Sequence, residues 1–167
     1  PGLVDIAELR NLGLAHLENG DYLESGEAFK RLAELLPDER LGFQNLAVAR
    51  LLRIDPTELD PMRDPLEYAK HRDSAGIAVA RLMTKFPDEF ESNVIAARFA
   101  IHIGHIDRAF EYLQAAAALR PEDPTVWYEM YEAGRFERDP RAVSKAEAAL
   151  FKASELSSDN LYMLMEL

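Results

Sequence analysis

The stretch LRNLGLAHLENGDYLESGEAFKRLAELLP, residues 9–37, determines the fold that we expect for this chain. Its first half carries apolar, small and aromatic side chains at three- and four-residue spacing, the pattern of one helix face: Leu9, Leu12, Gly13 and His16. That helix ends near Gly20, because glycine is the usual residue just past a helix end. A second helix then runs from about Tyr22 to Leu36 and is ended by Pro37. Residues 9–37 therefore predict two antiparallel helices joined by a short turn.

The rest of the sequence continues in the same way, and no segment shows the sustained period of two that is typical of a strand. Asp5 and Glu8 form a predicted capping box, and Asp64 followed by Pro65 marks another helix start. The remaining predicted helices cover about 39–53, 65–85, 89–103, 107–120, 124–137 and 140–156, and a further one begins at 159–167. The sequence therefore predicts an all-α protein built from helix pairs.

These helix pairs repeat with a fixed period. Pro37, Pro87 and Pro121 each follow a second helix at spacings of 50 and 34 residues, and Ser158 stands 37 residues after Pro121. A period of 34 explains these spacings if 16 residues are inserted in the second pair, over 54–69, and three in the fourth. Because one hairpin cannot bury its apolar face alone, we expect the hairpins to stack into one continuous core. An up-and-down helical bundle is the alternative.

The 34-residue helix–turn–helix period resembles that of the tetratricopeptide-repeat (TPR) family, whose pattern is W-x2-L-G-x2-Y, then A-x3-F, then P. The four pairs follow the two halves of this pattern, with Tyr131 in the small-residue position of the fourth: Leu9-x2-Leu12-Gly13-x2-His16 and Ser25-x3-Phe29; Phe43-x2-Leu46-Ala47-x2-Arg50 and Ala75-x3-Val79; Asn93-x2-Ala96-Ala97-x2-Ala100 and Ala109-x3-Leu113; Trp127-x2-Met130 and Ala146-x3-Leu150. The resemblance implies a right-handed α-α superhelix, a TPR-like solenoid of antiparallel helix hairpins, in a single domain over 1–167. Its repeats cover about 6–39, 40–89, 90–123 and 124–160, and a further helix starts at 161–167. We expect the chain to be part of a longer protein.

The composition restricts the function. A net charge of -11 and a pI near 4.8 argue against nucleic acid and against an anionic membrane surface as partners. The chain has no cysteine, which excludes zinc–sulfur sites and thiolate chemistry, and no apolar run approaches the roughly 20 residues of a membrane-spanning helix. His102 and His105 supply too few ligands for a metal site, and no phosphate-binding loop or nucleophile motif is present. We therefore expect neither catalysis nor a cofactor.

The resemblance also implies a function, because TPR arrays bind peptides or partner domains along the concave face made by the first helices. Residues of the first helices outside the packing positions are then the expected ligand contacts: Arg10, Asn11, Leu14, Gln44, Asn45, Val48, Val94, Ile95, Arg98, His102, Tyr128, Glu129 and Glu132. Asparagine offers a donor and an acceptor to an extended backbone, and arginine can hold a carboxylate with two hydrogen bonds. The family's clamp for a C-terminal carboxylate is not expected, because Glu91 and Ile95 stand where its last two basic residues belong.

The insertion and two histidines carry further expectations. The insertion contains three apolar side chains that favour docking on its own array over a plain surface loop: Leu59, Met62 and Leu66. His16 is expected to be a packed, hydrogen-bonded residue of the core or its boundary, and His71 is expected on a solvated helix face.

Two other functions stay open. Residues 159–167 are rich in apolar side chains without a repeat partner, which predicts internal cover or self-association. The chain would then be a structural spacer or an oligomerisation module that associates through its ends. A helical regulatory domain with a small-molecule site is the second alternative. The sequence leaves the compartment open, with the cytoplasm slightly favoured over export.

Overall fold

The structure, a computed structural model, describes residues 5–135 and 137–157. These residues form eight α-helices and no strand, which confirms the predicted all-α class. The helices are α1 (Ile6–Glu18), α2 (Tyr22–Leu35), α3 (Arg40–Arg53), α4 (Pro65–Lys85), α5 (Phe90–His102), α6 (Ile106–Leu119), α7 (Pro124–Gly134) and α8 (Pro140–Leu156). The chain divides into two compact units, Pro1–Pro87 with α1 to α4 and Asp88–Leu167 with α5 to α8. Within the described ranges no helix is long and apolar enough to cross a membrane. The predicted helix at 159–167 lies outside the described residues.

The helix ends form where the sequence predicts them. The starts of α1, α4, α7 and α8 are capped by aspartates whose carboxylates accept N–H groups of the first turn: Asp5, Asp64, Asp123 and Asp139. Gly20 and Gly104 follow α1 and α5 with φ of 82° and 76°, a conformation that favours glycine. After α1, the N–H of Gly20 donates to Leu17 O at 3.3 Å and that of Asp21 to His16 O at 2.8 Å. This pair of bonds is the Schellman motif, which satisfies carbonyls that the helix end leaves open.

In the unit Pro1–Pro87, small residues let the helices approach closely. A Cβ atom on Gly13 would lie 2.9 Å from the ring of Phe29, so the ring rests directly on the backbone of α1. Beside it, the buried hydroxyl of Ser25 donates to the carbonyl of Gly13 at 2.9 Å. Between α2 and α3, a Cβ atom on Gly42 would lie 2.7 Å from the backbone nitrogen of Ala33. Gly13, Ser25 and Phe29 therefore form the interface of the first hairpin, as predicted, whereas Leu12, which the same pattern placed in a packing position, is 49% exposed.

In the unit Asp88–Leu167, the core is built on large apolar side chains from α6 and α7: Phe110, Leu113, Val126 and Met130. The close approach of the last hairpin is made by Gly134, whose added Cβ would lie 2.8 Å from the Phe110 ring and 2.9 Å from Ala142 O. Tyr131, which the pattern placed in the small-residue position, is half-buried instead. Gly134 stands three residues later, and the fourth repeat exceeds the 34-residue period by the same number.

The inserted segment is divided between a connection and a helix. Residues 54–64 join α3 to α4, whereas 65–69 form the first turns of α4, which has 21 residues against 14 in α2. Ile54 is fully buried and anchors the start of the connection. The carboxylate of Asp55 then accepts the N–H of Thr57 at 2.9 Å, and that of Asp60 accepts the N–H of Met62 at 2.8 Å. Local hydrogen bonds therefore hold the connection in its conformation.

Two expectations about this region were wrong. Met62 and Leu66 do not dock on the helices, because 89% and 84% of their surfaces are exposed, and Leu59 is only half-buried. His71 is 6% exposed rather than solvated, and its Nε2 lies 2.8 Å from Oε1 of Glu67, one turn earlier in α4. The added turns of α4 bring this carboxylate to the imidazole and so satisfy a buried polar group.

His16 lies at the core boundary, as predicted. It is half-buried, and its Nδ1 is 3.2 Å from the carboxylate of Asp21 across the turn between α1 and α2.

Gly42→Ala is expected to destabilise the protein by about 1–3 kcal/mol, because the new methyl group meets the backbone of α2 and α3 has to shift. This cost exceeds the gain of up to about 1 kcal/mol that alanine brings to a helix interior. Gly26→Ala is the matched control, since its methyl group meets only the movable side chain of Arg50. Urea unfolding of both variants measures the difference, and a Gly42→Ala protein as stable as the control would contradict the packing described here.

Glu67→Gln is expected to reduce stability at neutral pH and to have little effect in acid. Hydrogen bonds with His71 and then Lys70 hold the pKa of Glu67 below its ordinary value of 4.5. A carboxylate whose pKa is lowered in the folded state stabilises it above the unfolded pKa, and this contribution is lost as the pH falls through the lowered value. Urea unfolding at about pH 7 and about pH 3 tests this linkage. Glu8→Gln, in the first turn of α1, controls for charge at a helix start. An equal loss from Glu67→Gln at both pH values would refute the expectation.

Candidate functional site

The first helices of the unit Pro1–Pro87 expose the side chains that the sequence singled out. On α1, Arg10, Asn11 and Leu14 are exposed. On α3, Gln44, Asn45 and Val48 are half-buried. In the described chain the side-chain amides of Gln44 and Asn45 make no hydrogen bond to other residues. Each of these amides therefore keeps its donors and its acceptor for water or a ligand.

The corresponding surface of the unit Asp88–Leu167 carries ion pairs. Arg98 of α5 donates two hydrogen bonds to one carboxylate oxygen of Glu129 on α7, one of them from Nε at 3.0 Å. Glu132 lies one turn further along α7 and pairs with Arg135 at 3.3 Å. The structure thus brings Arg98 and Glu129 together, two residues that the sequence selected independently from different helices.

The aromatic and apolar members of this surface are less accessible. The ring of Tyr128 is half-buried, with its centroid 5.8 Å from that of Tyr131. His102 is half-buried at the last position of α5. Val94 packs against the core of its unit, and Ile95 is only 5% exposed. Ile95 therefore belongs to the interior, which corrects its selection as a ligand contact, because helix periodicity alone does not reveal that neighbouring residues cover this position.

The two surfaces differ in what they can do chemically. The α1 and α3 surface offers neutral amides together with the guanidinium of Arg10, which suits hydrogen bonding to a peptide backbone. The α5 and α7 surface offers a guanidinium that already holds one carboxylate and can hold another in its place. Among the described residues no group of three or more histidine, aspartate or glutamate side chains is arranged to hold a metal ion.

The unit Pro1–Pro87 also contains a groove that was not predicted from the sequence. This α2–α4 groove is a cavity of about 500 Å³ between α2 and α4, with α3 as its floor. The residues that point to this groove are on α4. Ile77 is apolar but 59% exposed, and the short side chains of Ala80 and Thr84 follow it on the same wall. Its walls belong to the second helices α2 and α4, which lie outside the pattern that selected the first helices.

The protein resembles several solved structures along most of its length. It superimposes on a TPR protein of Thermus thermophilus, TTC0263, with a TM-score of 0.80 and 18% identity over 98% of this chain and 79% of that one. MamA (MSR-1) gives a TM-score of 0.64 and 18% identity over 92% of this chain and 78% of that one. The O-GlcNAc transferase of Thermobaculum terrenum gives 0.67 and 18% over 90% of this chain, which spans only 26% of the transferase. The sequence matches no family model and no curated protein. These likenesses show the fold that the 34-residue period predicted.

The Arg98–Glu129 pair is expected to contribute about 1 kcal/mol of coupling energy, because Arg98 is 55% exposed and screened by water, whereas the Glu129 side chain is 20% exposed. A double-mutant cycle with Arg98→Ala and Glu129→Ala measures it, and the coupling should fall further at about 1 M salt. The control is the Arg108–Glu111 pair of α6, in which both side chains are exposed. A salt-independent coupling of several kcal/mol would mean that the pair is structural and closed to ligands.

Proposed function

Because the chain has the tetratricopeptide-repeat fold, we propose that it is a non-catalytic scaffold that binds a protein or peptide ligand through its first helices. The observation that carries this proposal is the presence of half-buried amides without intramolecular partners at Gln44 and Asn45. Gln44 and Asn45 are neighbours on α3, and their amide donors and acceptors are open to an intermolecular partner.

The α3 surface supports binding of an extended peptide. Asn45 and Gln44 carry both donors and acceptors, which match the alternating N–H and C=O groups of a peptide backbone. Val48, one turn after Gln44, adds apolar surface for a ligand side chain. On α1, Arg10 adds a fully charged group for a carboxylate of the ligand.

The α5 and α7 surface supports binding of an acidic group by exchange. Replacing the Glu129 carboxylate by one from the ligand keeps the Arg98 hydrogen bonds, so the net cost of opening the pair is small. The chain carries a net charge of -11, and a ligand with additional basic residues is therefore attracted at long range.

A second candidate function is self-association through residues 159–167, which lie outside the described residues. Six of these nine residues are apolar: Leu161, Tyr162, Met163, Leu164, Met165 and Leu167. Apolar side chains at this density favour burial against a protein surface over exposure to water. This function is compatible with the scaffold proposal, because it uses a different part of the chain.

The scaffold proposal is tested by affinity capture from lysate of the source cells with the Asn45→Ala/Arg98→Glu variant and the unaltered chain. We expect the captured partner to bind the variant at least about tenfold more weakly, since each change removes a hydrogen-bonding group from the contact surface. The single variants then show which of the two surfaces carries the contact.

The matched control is Gln114→Ala/Arg108→Glu, which makes an equivalent amide loss and charge reversal on the exposed side of α6. Circular dichroism and thermal unfolding should first show that both variants fold like the parent. Equal binding of the partner to the parent and the Asn45→Ala/Arg98→Glu variant, or equal losses in both variants, would contradict binding through the first helices.

A further inference from the structure

The α2–α4 groove is open because α2 and α4 flank α3 without filling the space between them. α3 packs on both helices, and its Phe43 and Leu46 form the floor of the groove together with Ala33 of α2. These three side chains are buried beneath the groove. On the α4 wall the side chains of Ala80 and Thr84 are too short to reach α2, which leaves a cavity of about 500 Å³.

The surface of this groove is apolar. Ile77 stands at its edge with 59% of its surface exposed, although isoleucine is among the residues most often buried. The one hydroxyl of the α4 wall, that of Thr84, donates to Ala80 O at 2.8 Å and so has its partner within α4. A ligand in this groove therefore gains from apolar side chains and finds few polar groups to satisfy.

The rim of the groove is basic, in contrast to the chain as a whole. Lys30 lines it from α2, and Arg81 and Lys85 line it from α4, against the single carboxylate of Glu34. Within the described part of the chain, none of these three cations takes part in an ion pair. A chain with a net charge of -11 thus presents a local excess of positive charge around an apolar cavity. The complementary ligand is an apolar segment that carries acidic side chains.

We propose that the α2–α4 groove binds residues 159–167 of a second copy of this chain. The segment combines six apolar residues with Asp159 and Glu166 and contains no basic residue, so its charge is opposite to that of the rim. Its predicted helical form would extend about 12 Å, which equals the rise of α4 between Ile77 and Lys85 along the groove. This proposal rests on the self-association proposed above and adds the receptor site for it.

The contact joins different surfaces of the two copies. Each copy then offers one groove and one segment, so association proceeds head to tail and does not stop at a dimer unless a ring closes. A nine-residue segment is far smaller than the roughly 20–30 residues per side of a stable interface. Self-association is therefore weak and depends on concentration and on salt.

Sedimentation velocity of the full chain over a wide range of concentrations tests the proposal. The weight-average mass should rise from 18.9 kDa with increasing concentration and fall back when salt is added. Ile77→Glu or Arg81→Glu in the groove should abolish the rise, and so should Leu164→Asp in the segment. Both groove changes are at exposed positions, so we expect them to leave the fold intact, and circular dichroism checks this. Met62→Glu, at another exposed apolar residue of the same unit, should leave the rise unchanged.

Mixing the defective variants gives the most specific result. The Ile77→Glu chain keeps its segment and the Leu164→Asp chain keeps its groove, so an equimolar mixture should form a species of twice the monomer mass and nothing larger. A wild-type chain that is monomeric throughout, a groove variant that associates like the parent, or a mixture that stays monomeric would each overturn the proposal. The Asn45→Ala/Arg98→Glu variant should still self-associate, so failure of ligand binding through the first helices and failure of the groove contact are distinguishable.

Discussion

The ring of Phe29 rests on the backbone of α1 because Gly13 has no side chain, and the first hairpin depends on this contact. The Ser25 hydroxyl completes it by satisfying the Gly13 carbonyl inside the same buried interface. In the unit Asp88–Leu167, Gly134 of α7 likewise lets helices approach closely, because an added Cβ would lie 2.8 Å from the ring of Phe110 in α6 and 2.9 Å from Ala142 O in α8. Close approach of helix backbones fixes where the remaining side chains of each first helix point, and it therefore determines which of them reach the surface. The candidate binding residues are a consequence of this packing.

Much of the fold was predictable because its determinants are local in sequence. Aspartate caps, glycines after helix ends and prolines in first turns act within a few residues, so the bounds of the helices follow from the sequence to within one to three residues. The predictions were wrong where the environment of a residue depends on contacts that local sequence patterns do not show. Gly134, and not Tyr131, makes the close approach in the fourth repeat, which is three residues longer than the 34-residue period. His71 is buried rather than solvated, and the early start of α4 supplies Glu67 as the partner of its imidazole.

The candidate site was predictable in composition but less so in arrangement. Periodicity identified exposed positions on the first helices, and it selected both Arg98 and Glu129 without showing that they bind each other. Pairing across helices depends on three-dimensional distance, which a single sequence does not contain. The burial of Ile95 and the open groove beside Ile77 have the same origin, because exposure of one helix position depends on the size of residues on other helices. The two units consequently present different chemistry on equivalent helices, neutral amides on one and a charge pair on the other.

The order of the helix contacts has a consequence for how the chain folds. Within each described unit, the extensive interfaces join helices that are adjacent in sequence, α1 with α2, α2 with α3 and α3 with α4, and likewise from α5 to α8. Contacts between sequence neighbours require only short loops to close, so the relative contact order is low and folding is expected to be fast for a chain of this length. The same arrangement lets a terminal hairpin open while the others stay folded, which makes amide hydrogen exchange graded along each unit. The 11-residue connection at 54–64 lengthens one of these loops, and we expect it to slow only the formation of the contact between α3 and α4.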